Sequence, residues 1–411
     1  MNRIRCRHRR AASFSHAASC SHAAPFAEAA SFAEAAFYAD AAPFAEAASY
    51  ADAASYADAA SYAEAASYAD AAPFAVEAAS CSDAASCSHA LSSLHAASRF
   101  LSIATGALIA IAAPLAGQTA ATPAIDSVRL MADLRILAHD SMEGRRAGTP
   151  GAERARRFLE TSFAAIGLEP FGESWRQSFE FRGGRGSAIL RGANVIGYFR
   201  GTTDPERAIV LSAHFDHLGV REGEVFNGAD DNASGTAAIL ALARLFAESP
   251  PRHTIVFAAF DAEESGLRGA HAFVNTPPVP RRSIAINVNL DMVGRNQAGE
   301  LWVAGTHHTP ALRPLIDRHA RDAHVRLRIG HDRPNIASEQ DWTGSSDHGP
   351  FHAAGIPFLY FGVEDHVDYH RESDEADRID AVFFTRSIQT IAGIVRSLDQ
   401  QLGTLLPQRE H

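Results

Sequence analysis

Five short apolar runs, separated by helical stretches, constrain the fold of this chain most strongly. They are ANVIGYF, RAIVLSAHF, HTIVFAAFD, SIAINVNLDM and IPFLYFGV, all after about Thr122. Runs rich in branched and aromatic residues are typical of strands buried on both faces. The segments between them, such as NASGTAAILALARLFAE, have the apolar spacing of helices. This alternation predicts an α/β fold, a three-layer sandwich whose mixed, mainly parallel sheet is covered by helices on both faces.

Residues 1–98 are predicted to be a low-complexity segment rather than a folded domain. Acidic residues recur about every six positions from Glu28 to Asp70, in units such as AASYAD. Six residues advance a helix by about 600°, so the aromatic residues of successive units fall on different helix faces. We therefore expect this segment to be disordered or weakly helical, or to reflect a misplaced translation start. An interaction stalk is the alternative.

Residues 99–117 have the composition of a secretory signal peptide. Arg99 precedes an apolar run from Phe100 to about Ala113, and the small residues Ala116 and Gly117 follow shortly after. The run is shorter than the roughly 20 residues that span a bilayer, so we expect no stable membrane span. An uncleaved anchor and a buried helix are the alternatives. Residues 118–411 would then be the folded domain, exported to the periplasm or secreted.

Composition excludes several classes of function. The chain has no lysine, which rules out a Schiff-base lysine and a phosphate-loop lysine. The four cysteines all lie in the Ala/Ser-rich region, so the predicted domain has no thiol catalyst and no cysteine metal ligand. A net charge of −11 argues against nucleic acid as a partner, because phosphate binding requires a basic surface.

Side chains of the kinds that bind divalent metals follow the ends of the predicted strands or precede a helix. They are, in chain order, His214, Asp216, Asp230, Asp231, Glu263, Glu264, Asp291 and His370. The carboxyl ends of parallel strands meet at one edge of a sheet, where ligand sites lie. Two imidazoles and three or more carboxylates at one edge suit two borderline divalent ions, zinc above all. Two such ions about 3.5–4 Å apart need a bridging carboxylate.

Six motifs in order resemble one family of enzymes. The motifs are AHFDHLG, NGADDNASG, DAEESGLRGAHAF, NLDMVGR, SSDHGPFHAAGIP and DYHRESD. Together they resemble the di-zinc peptidases typified by bacterial secreted leucyl aminopeptidases and glutamate carboxypeptidase II, peptidase family M28. The resemblance extends from about Asp126 to the end of the chain. It implies that residues 118–411 form a di-zinc peptidase catalytic domain with the zinc-peptidase fold.

The resemblance also implies a ligand set for two Zn²⁺ per chain. His214 and Asp291 would hold one ion, Glu264 and His370 would hold the other, and Asp230 would bridge both. His366 lies close enough in sequence to rival His370. Glu372 occupies a position where the family often has proline, which bears on the rigidity of this loop and not on the ligand.

Three further residues are implied to act in catalysis. Glu263 would be the general base on the zinc-bridging water, Asp216 would orient His214, and Tyr369 would stabilise the oxyanion. Asp231 would follow a cis peptide bond. His217 is left as a loop histidine, and Asp347 and His348 either form a structural turn or line the substrate pocket.

The implied reaction is hydrolysis of N-terminal residues from peptide substrates by a zinc-bridged hydroxide, without a covalent intermediate. Three alternatives remain open on the sequence. A carboxypeptidase would need an arginine for the terminal carboxylate, and Arg295 or Arg371 could serve. A glutaminyl cyclase would bind one zinc ion. A receptor-like binding protein without metals would be the non-enzymatic case.

Overall fold

The structure is a computed structural model that describes residues 124–183, 188–333 and 340–408. The predictions for the repeat at 1–98 and for the signal-like segment at 99–117 fall outside the described residues. Among the described helices, none is both long enough and apolar enough to cross a membrane.

The strands form a nine-stranded mixed sheet and a separate small hairpin. The bounds are β1 Glu169–Pro170, β2 Arg176–Arg182, β3 Ile189–Phe199, β4 Asp204–His214, β5 Gly219–Arg221, β6 Glu224–Phe226, β7 His253–Phe260, β8 Ile284–Leu290, β9 Glu300–Ala304, β10 Arg326–Ile329 and β11 Phe358–Gly362. The sheet order is β1-β3-β7-β4-β8-β11-β9-β10, with β2 also paired to β3. The central strands β7, β4, β8 and β11 run parallel to one another. Antiparallel pairing occurs between β3 and β7, between β11 and β9, and where β1 and β2 join β3.

Seven α-helices accompany the strands in the described part of the chain. Their bounds are α1 Ser127–Leu137, α2 Pro150–Ile166, α3 Gly235–Glu248, α4 Arg268–Asn275, α5 Arg313–Asp322, α6 His348–Ala353 and α7 Ala381–Leu405. Helix α2 begins after Thr149, whose side chain accepts the N–H of Ala152, and it ends at Gly167 with φ 89°. Asp380 caps α7 by accepting the N–H groups of Val382 and Phe383. Local capping thus fixes where these helices begin and end.

Helices cover both faces of the sheet, as the sequence predicts. Along β4, Ile209 and Leu211 pack into the larger core, with α1, α3 and α7. Their neighbour Val210 points to the opposite face and packs with Phe273 of α4 and Phe351 of α6. Successive strand residues point to opposite faces, so burial of both sets requires a layer of helices on each side. The predicted three-layer α/β sandwich is confirmed.

Candidate metal centre

The candidate ligands lie at the carboxyl ends of the central parallel strands. His214 is the last residue of β4, Asp291 directly follows β8, and Glu263 and Glu264 follow β7. Asp231 lies in a helical turn, Ala229–Ser234, that leads into α3. His370 lies in the loop between β11 and α7. Because these strands are parallel neighbours, their loops converge at one edge of the sheet.

The carboxylate of Asp231 lies between two groups of ligand-type side chains. Its Oδ1 is 3.4 Å from His214 Nε2, and His214 Nε2 is in turn 3.3 Å from Asp291 Oδ1. Its Oδ2 is 3.1 Å from His370 Nε2. The two oxygens of one buried carboxylate therefore face two different histidines, which is the arrangement expected of a bridging ligand.

Asp230, the sequence-predicted bridging ligand, does not occupy that position. Its Oδ1 accepts the N–H of Gly294 at 2.7 Å, and its Oδ2 faces His366 Nε2 at 3.2 Å. Asp230 and Asp231 are adjacent, and their side chains point to different partners. The structure thus makes Asp231 the bridging candidate. It also removes His366 as a rival to His370, since His366 pairs with Asp230 instead.

The cis peptide bond also lies one residue later than expected. It joins Asp231 to Asn232, so Asp231 precedes it and does not follow it. The Asn232 side chain fastens this turn to the end of β8 and the segment after it, donating to the Leu290 carbonyl and accepting the N–H of Met292 as well as that of Gly235. These bonds hold the loop of Asp231 against the loop of Asp291.

His214 is oriented by Asp216, but through a different atom from the one predicted. His214 Nδ1 lies 3.1 Å from the backbone carbonyl oxygen of Asp216 and 3.8 Å from its carboxylate. The carboxylate Oδ1 instead accepts the backbone N–H of Glu263 at 2.9 Å. A carbonyl acceptor makes Nδ1 the protonated nitrogen and leaves Nε2 free for a metal.

The second group contains one residue more than the sequence predicts. Glu264 Oε1 lies 3.4 Å from His370 Nε2 and 2.8 Å from His217 Nδ1. His217 Nδ1 is also 3.7 Å from Asp231 Oδ2. The motif AHFDHLG contains His217, three residues after the ligand candidate His214. From the sequence alone, a histidine at this position could equally be a metal ligand or a hydrogen-bonded loop residue.

The electrostatics of the site favour bound cations. Burial lowers the pKa of His214, but the carboxylates of Asp291, Glu263 and Asp231 outweigh burial and raise it well above its usual value. The carboxylates of Asp231 and Glu264, which lie within 3.4 Å of its Nε2, raise the pKa of His370 to about 10. Carboxylates this dense at a largely buried site require compensating positive charge.

Glu263 lies among these groups, with a shifted pKa and a fixed backbone. Burial, together with Asp347, Asp291 and Glu264, raises its pKa well above the usual glutamate value and outweighs the opposing charge of His214. Its backbone N–H is fixed by Asp216. Ala262, directly before it, has φ 59°, a left-handed conformation uncommon for a non-glycine residue. Such conformations cluster at functional sites.

Two tyrosines adjoin the centre, although the sequence singled out one. Tyr369 stacks on His370 with ring centroids 4.0 Å apart. Burial, followed by Asp231 and Asp291, raises its pKa above the usual value. Tyr360 of β11 is buried, and its pKa is raised by burial and by the same two aspartates. Tyr360 was missed because, within an apolar strand, an aromatic residue is indistinguishable from core.

Two charged residues outside the ligand set hold the loops together, and neither was predicted. Asp374 is buried and accepts the backbone N–H groups of Asp230 and Asp231, each at 3.1 Å. Arg145 is also fully buried. It donates to the carbonyl oxygens of Phe215, which follows His214, of Asn227 and Gly228, which precede Asp231, and of Leu137 at the end of α1. A charged residue that forms hydrogen bonds only with backbone groups cannot be recognised from the residue types or spacing of a sequence.

The donor set fits zinc. Imidazole nitrogens and carboxylate oxygens are the zinc ligands available here, since the cysteines lie elsewhere in the chain. The buried atoms without a hydrogen-bond partner among the described residues include Glu264 Oε1 and both ring nitrogens of His217. Two clusters of side chains offer ligand atoms within 4.8 Å of one another, and Asp231 belongs to both: His214, Asp231 and Asp291, and His217, Asp231 and Glu264.

Known proteins share this sequence pattern and fold. A probable zinc metalloprotease of Pyrenophora tritici-repentis is 28% identical over 60% of this chain and 67% of its own length. Aminopeptidase YwaD of Bacillus subtilis is 34% identical over 197 residues, which make up 45% of this chain and 40% of its own length. The crystal structure of BSAP, a zinc aminopeptidase from Bacillus subtilis, matches 71% of this chain and 99% of its own with a TM-score of 0.56 at 18% identity.

The match to aminopeptidase YwaD is therefore a partial one, since it covers less than half of either protein. Coverage of other relatives is also partial, since the chain spans 42%, 49% and 53% of the length of three further probable zinc metalloproteases. Residues 194–395, which include every residue of the two clusters, match the model of peptidase family M28. This segment, 202 of the 411 residues, thus carries the sequence pattern of peptidase family M28.

Proposed function

We propose that this protein is a zinc-dependent aminopeptidase that binds two Zn²⁺ ions and removes N-terminal residues from peptides. The observation that carries the proposal is the position of Asp231, whose two carboxylate oxygens face His214 on one side and His370 on the other. His214 and Asp291 would complete one ion's ligands, and Glu264 and His370 the other's. Zinc at these positions would supply Lewis-acid chemistry and lower the pKa of a bound water.

The chain's own residues account for the proton transfers. Glu263 follows β7 directly and is held by its N–H bond to Asp216. Its raised pKa suits a carboxylate that takes a proton from water and later returns it to the departing amine. Tyr369 or Tyr360 would donate a hydrogen bond to the developing oxyanion.

The charge of the site supports action at the amino end of a substrate. Glu263 and Asp347 add carboxylates beyond those in the two clusters, and Asp347 is fully buried. Such surroundings favour a substrate ammonium over a substrate carboxylate. Arg295, one residue proposed for a carboxypeptidase, forms an ion pair with Asp368 at 2.6 Å, and both side chains are largely buried. Arg371 is exposed, so a carboxylate clamp would depend on a surface side chain.

Matched peptides test this assignment. One peptide carries an acetylated N-terminus and the other an amidated C-terminus, on the same sequence. An aminopeptidase cuts the amidated peptide and spares the acetylated one. Trimming of the acetylated peptide from its C-terminus would show a carboxypeptidase. Ring closure of an N-terminal glutamine peptide, with one zinc ion per chain, would show a glutaminyl cyclase.

We also propose that the enzyme is exported. The support is the basic flank at Arg99, the short apolar run after it and the small residues that follow. Fractionation of cells that produce the full chain tests this. Recovery of the activity outside the cytoplasm supports export, and an exclusively cytoplasmic activity contradicts it.

A further inference from the structure

His217 lies inside the metal centre although neither the motif roles nor the proposed ligand set uses it. The side chain is fully buried. Its Nδ1 lies 2.8 Å from Glu264 Oε1 and 3.7 Å from Asp231 Oδ2. Despite this proximity, neither ring nitrogen has a well-aligned hydrogen-bond partner among the described residues. A buried imidazole without hydrogen bonds is costly unless something else satisfies it.

His370 approaches the same two carboxylates from another direction. Its Nε2 lies 3.1 Å from Asp231 Oδ2 and 3.4 Å from Glu264 Oε1. The rings of His217 and His370 are 5.7 Å apart and inclined by 62°. One imidazole nitrogen from each ring therefore lies within 3.7 Å of the same two carboxylate oxygens.

The spacing of these atoms is close to that of the first coordination sphere of zinc. Bonds of about 2.0–2.2 Å in a tetrahedron place ligand atoms roughly 3.3–3.6 Å apart. The four measured separations run from 2.8 to 3.7 Å. Pairwise contacts between imidazole and carboxylate would account for these separations one at a time, whereas one bound zinc ion would account for all four together.

We propose that His217 is a fourth side-chain ligand of the zinc position formed by Asp231, Glu264 and His370. The inference rests on the proposed two-zinc function. The other position has three such ligands in the described residues, namely His214, Asp231 and Asp291. Four protein ligands are typical of closed zinc sites, whereas three leave an open position. The His217 position therefore binds zinc more tightly, and the His214 position exchanges its ion more readily and presents the open coordination position.

Metal binding by the full-length protein tests this inference without reference to activity. Metal-depleted wild type, His217→Ala and His217→Gln are titrated with zinc against a competing chelator. His271→Ala is the control, since His271 is an exposed histidine of α4. Wild type and control should bind two zinc ions of unequal affinity. Loss of a residue outside the coordination sphere weakens metal binding about 10–100-fold, so loss of this ligand should weaken the tighter site by more than about 100-fold.

Cobalt substitution decides between a ligand and a positioning residue. With one equivalent of Co²⁺, the visible absorption reports the ligands of the tighter site. The spectrum should change in both His217 variants and stay unchanged in the control. A wild-type spectrum in a variant that binds cobalt overturns the proposal, whatever its affinity.

Two further controls separate the possible failures. Circular dichroism of the metal-depleted proteins establishes that a variant is folded, and His217→Gln, which retains a polar side chain, replaces His217→Ala if the latter does not fold. If wild type binds two zinc ions and both variants match it, only the role of His217 is wrong. If folded wild type binds no zinc, the proposed function itself fails.

Discussion

The carboxylate of Asp216 accepts the backbone N–H of Glu263 at 2.9 Å, so the loop after β4 directly positions the loop after β7. The same residue's carbonyl oxygen orients His214. One aspartate thereby sets the relative positions of a candidate metal ligand and the candidate general base. Burial raises the pKa of Asp216 well above its usual value. Bound cations nearby would favour its ionised form.

Replacement of Glu263 by glutamine should remove proton transfer and spare metal binding. We expect kcat to fall at least about a hundredfold, because a general base typically contributes roughly 10²–10⁴ in rate. Zinc content should stay at the wild-type value, since Glu263 belongs to neither ligand cluster. Steady-state kinetics and elemental analysis measure the two quantities.

Glu264→Gln is the matched variant at the adjacent position. It should lose zinc, because Glu264 belongs to the cluster of His217 and Asp231. Near-wild-type turnover in Glu263→Gln, or loss of zinc from it, would show that the two glutamates have the opposite roles.

Asp231→Asn and Asp230→Asn distinguish the two adjacent aspartates. Because Asp231 faces both histidines, its substitution should lower the binding of both zinc ions. Asp230 binds the N–H of Gly294 and faces His366, so its substitution should lower the melting temperature and leave two zinc ions bound. Zinc content and thermal unfolding are measured on both variants. Two zinc ions in Asp231→Asn and fewer in Asp230→Asn would restore the sequence-based assignment.

Comparison of these two aspartates shows how far sequence reasoning extends. The apolar runs predicted the central strands, and parallel strands bring their carboxyl ends together, so the location of the site followed from the pattern. The choice between Asp230 and Asp231 depends on backbone torsions in one turn, where Gly228 has φ 51° and Asp231 precedes a cis peptide bond. Residue type and spacing are the same for both aspartates and do not encode that choice.

The contribution of His217 was hidden for a different reason. Its role depends on the distance to Glu264, 47 positions along the chain in another loop. Spacing within a motif predicts ligands that share a helix or a turn. For ligands on separate loops, the strand pattern predicts only that the loops meet at one edge of the sheet. Which side chains contact each other there depends on the tertiary structure.

Asp374→Asn should loosen the turn that carries Asp231. The carboxylate accepts N–H groups of Asp230 and Asp231, and an amide has one acceptor oxygen in place of two. We expect a loss of about 1–3 kcal/mol in stability, the usual cost of a buried group left unsatisfied. Zinc should also dissociate more readily into a chelator. Unfolding by urea and zinc release are the measurements.

Asp377→Asn is the control for this variant. Asp377 lies three residues further along the same loop, and its side chain is 85% exposed. It should match wild type in stability and zinc retention. Equal behaviour of the two variants would mean that the Asp374 carboxylate does not hold the turn.

The pH dependence of stability should reveal the ion pairs of Glu153. Burial raises the pKa of Glu153, but hydrogen bonds and charge from Arg176 and Arg156 outweigh burial and lower it to about 2. Arg156 also bonds the buried Asp261 at 2.7 Å, two residues before Glu263, so the network connects α2 to the loop that carries Glu263.

A carboxylate whose pKa is lower in the folded state stabilises the protein above its unfolded pKa, here about 4.3. That contribution is lost as pH falls from about 4.3 towards 2. Glu153→Gln should therefore reduce the free energy of unfolding by about 1 kcal/mol at pH 7, the scale of solvent-screened ion pairs. The difference from wild type should shrink towards zero below about pH 3. Urea unfolding between pH 2.5 and 7 measures it, with the exposed Glu206→Gln as control. A difference that is the same at pH 3 and pH 7 would mean that ionisation of Glu153 does not stabilise the fold.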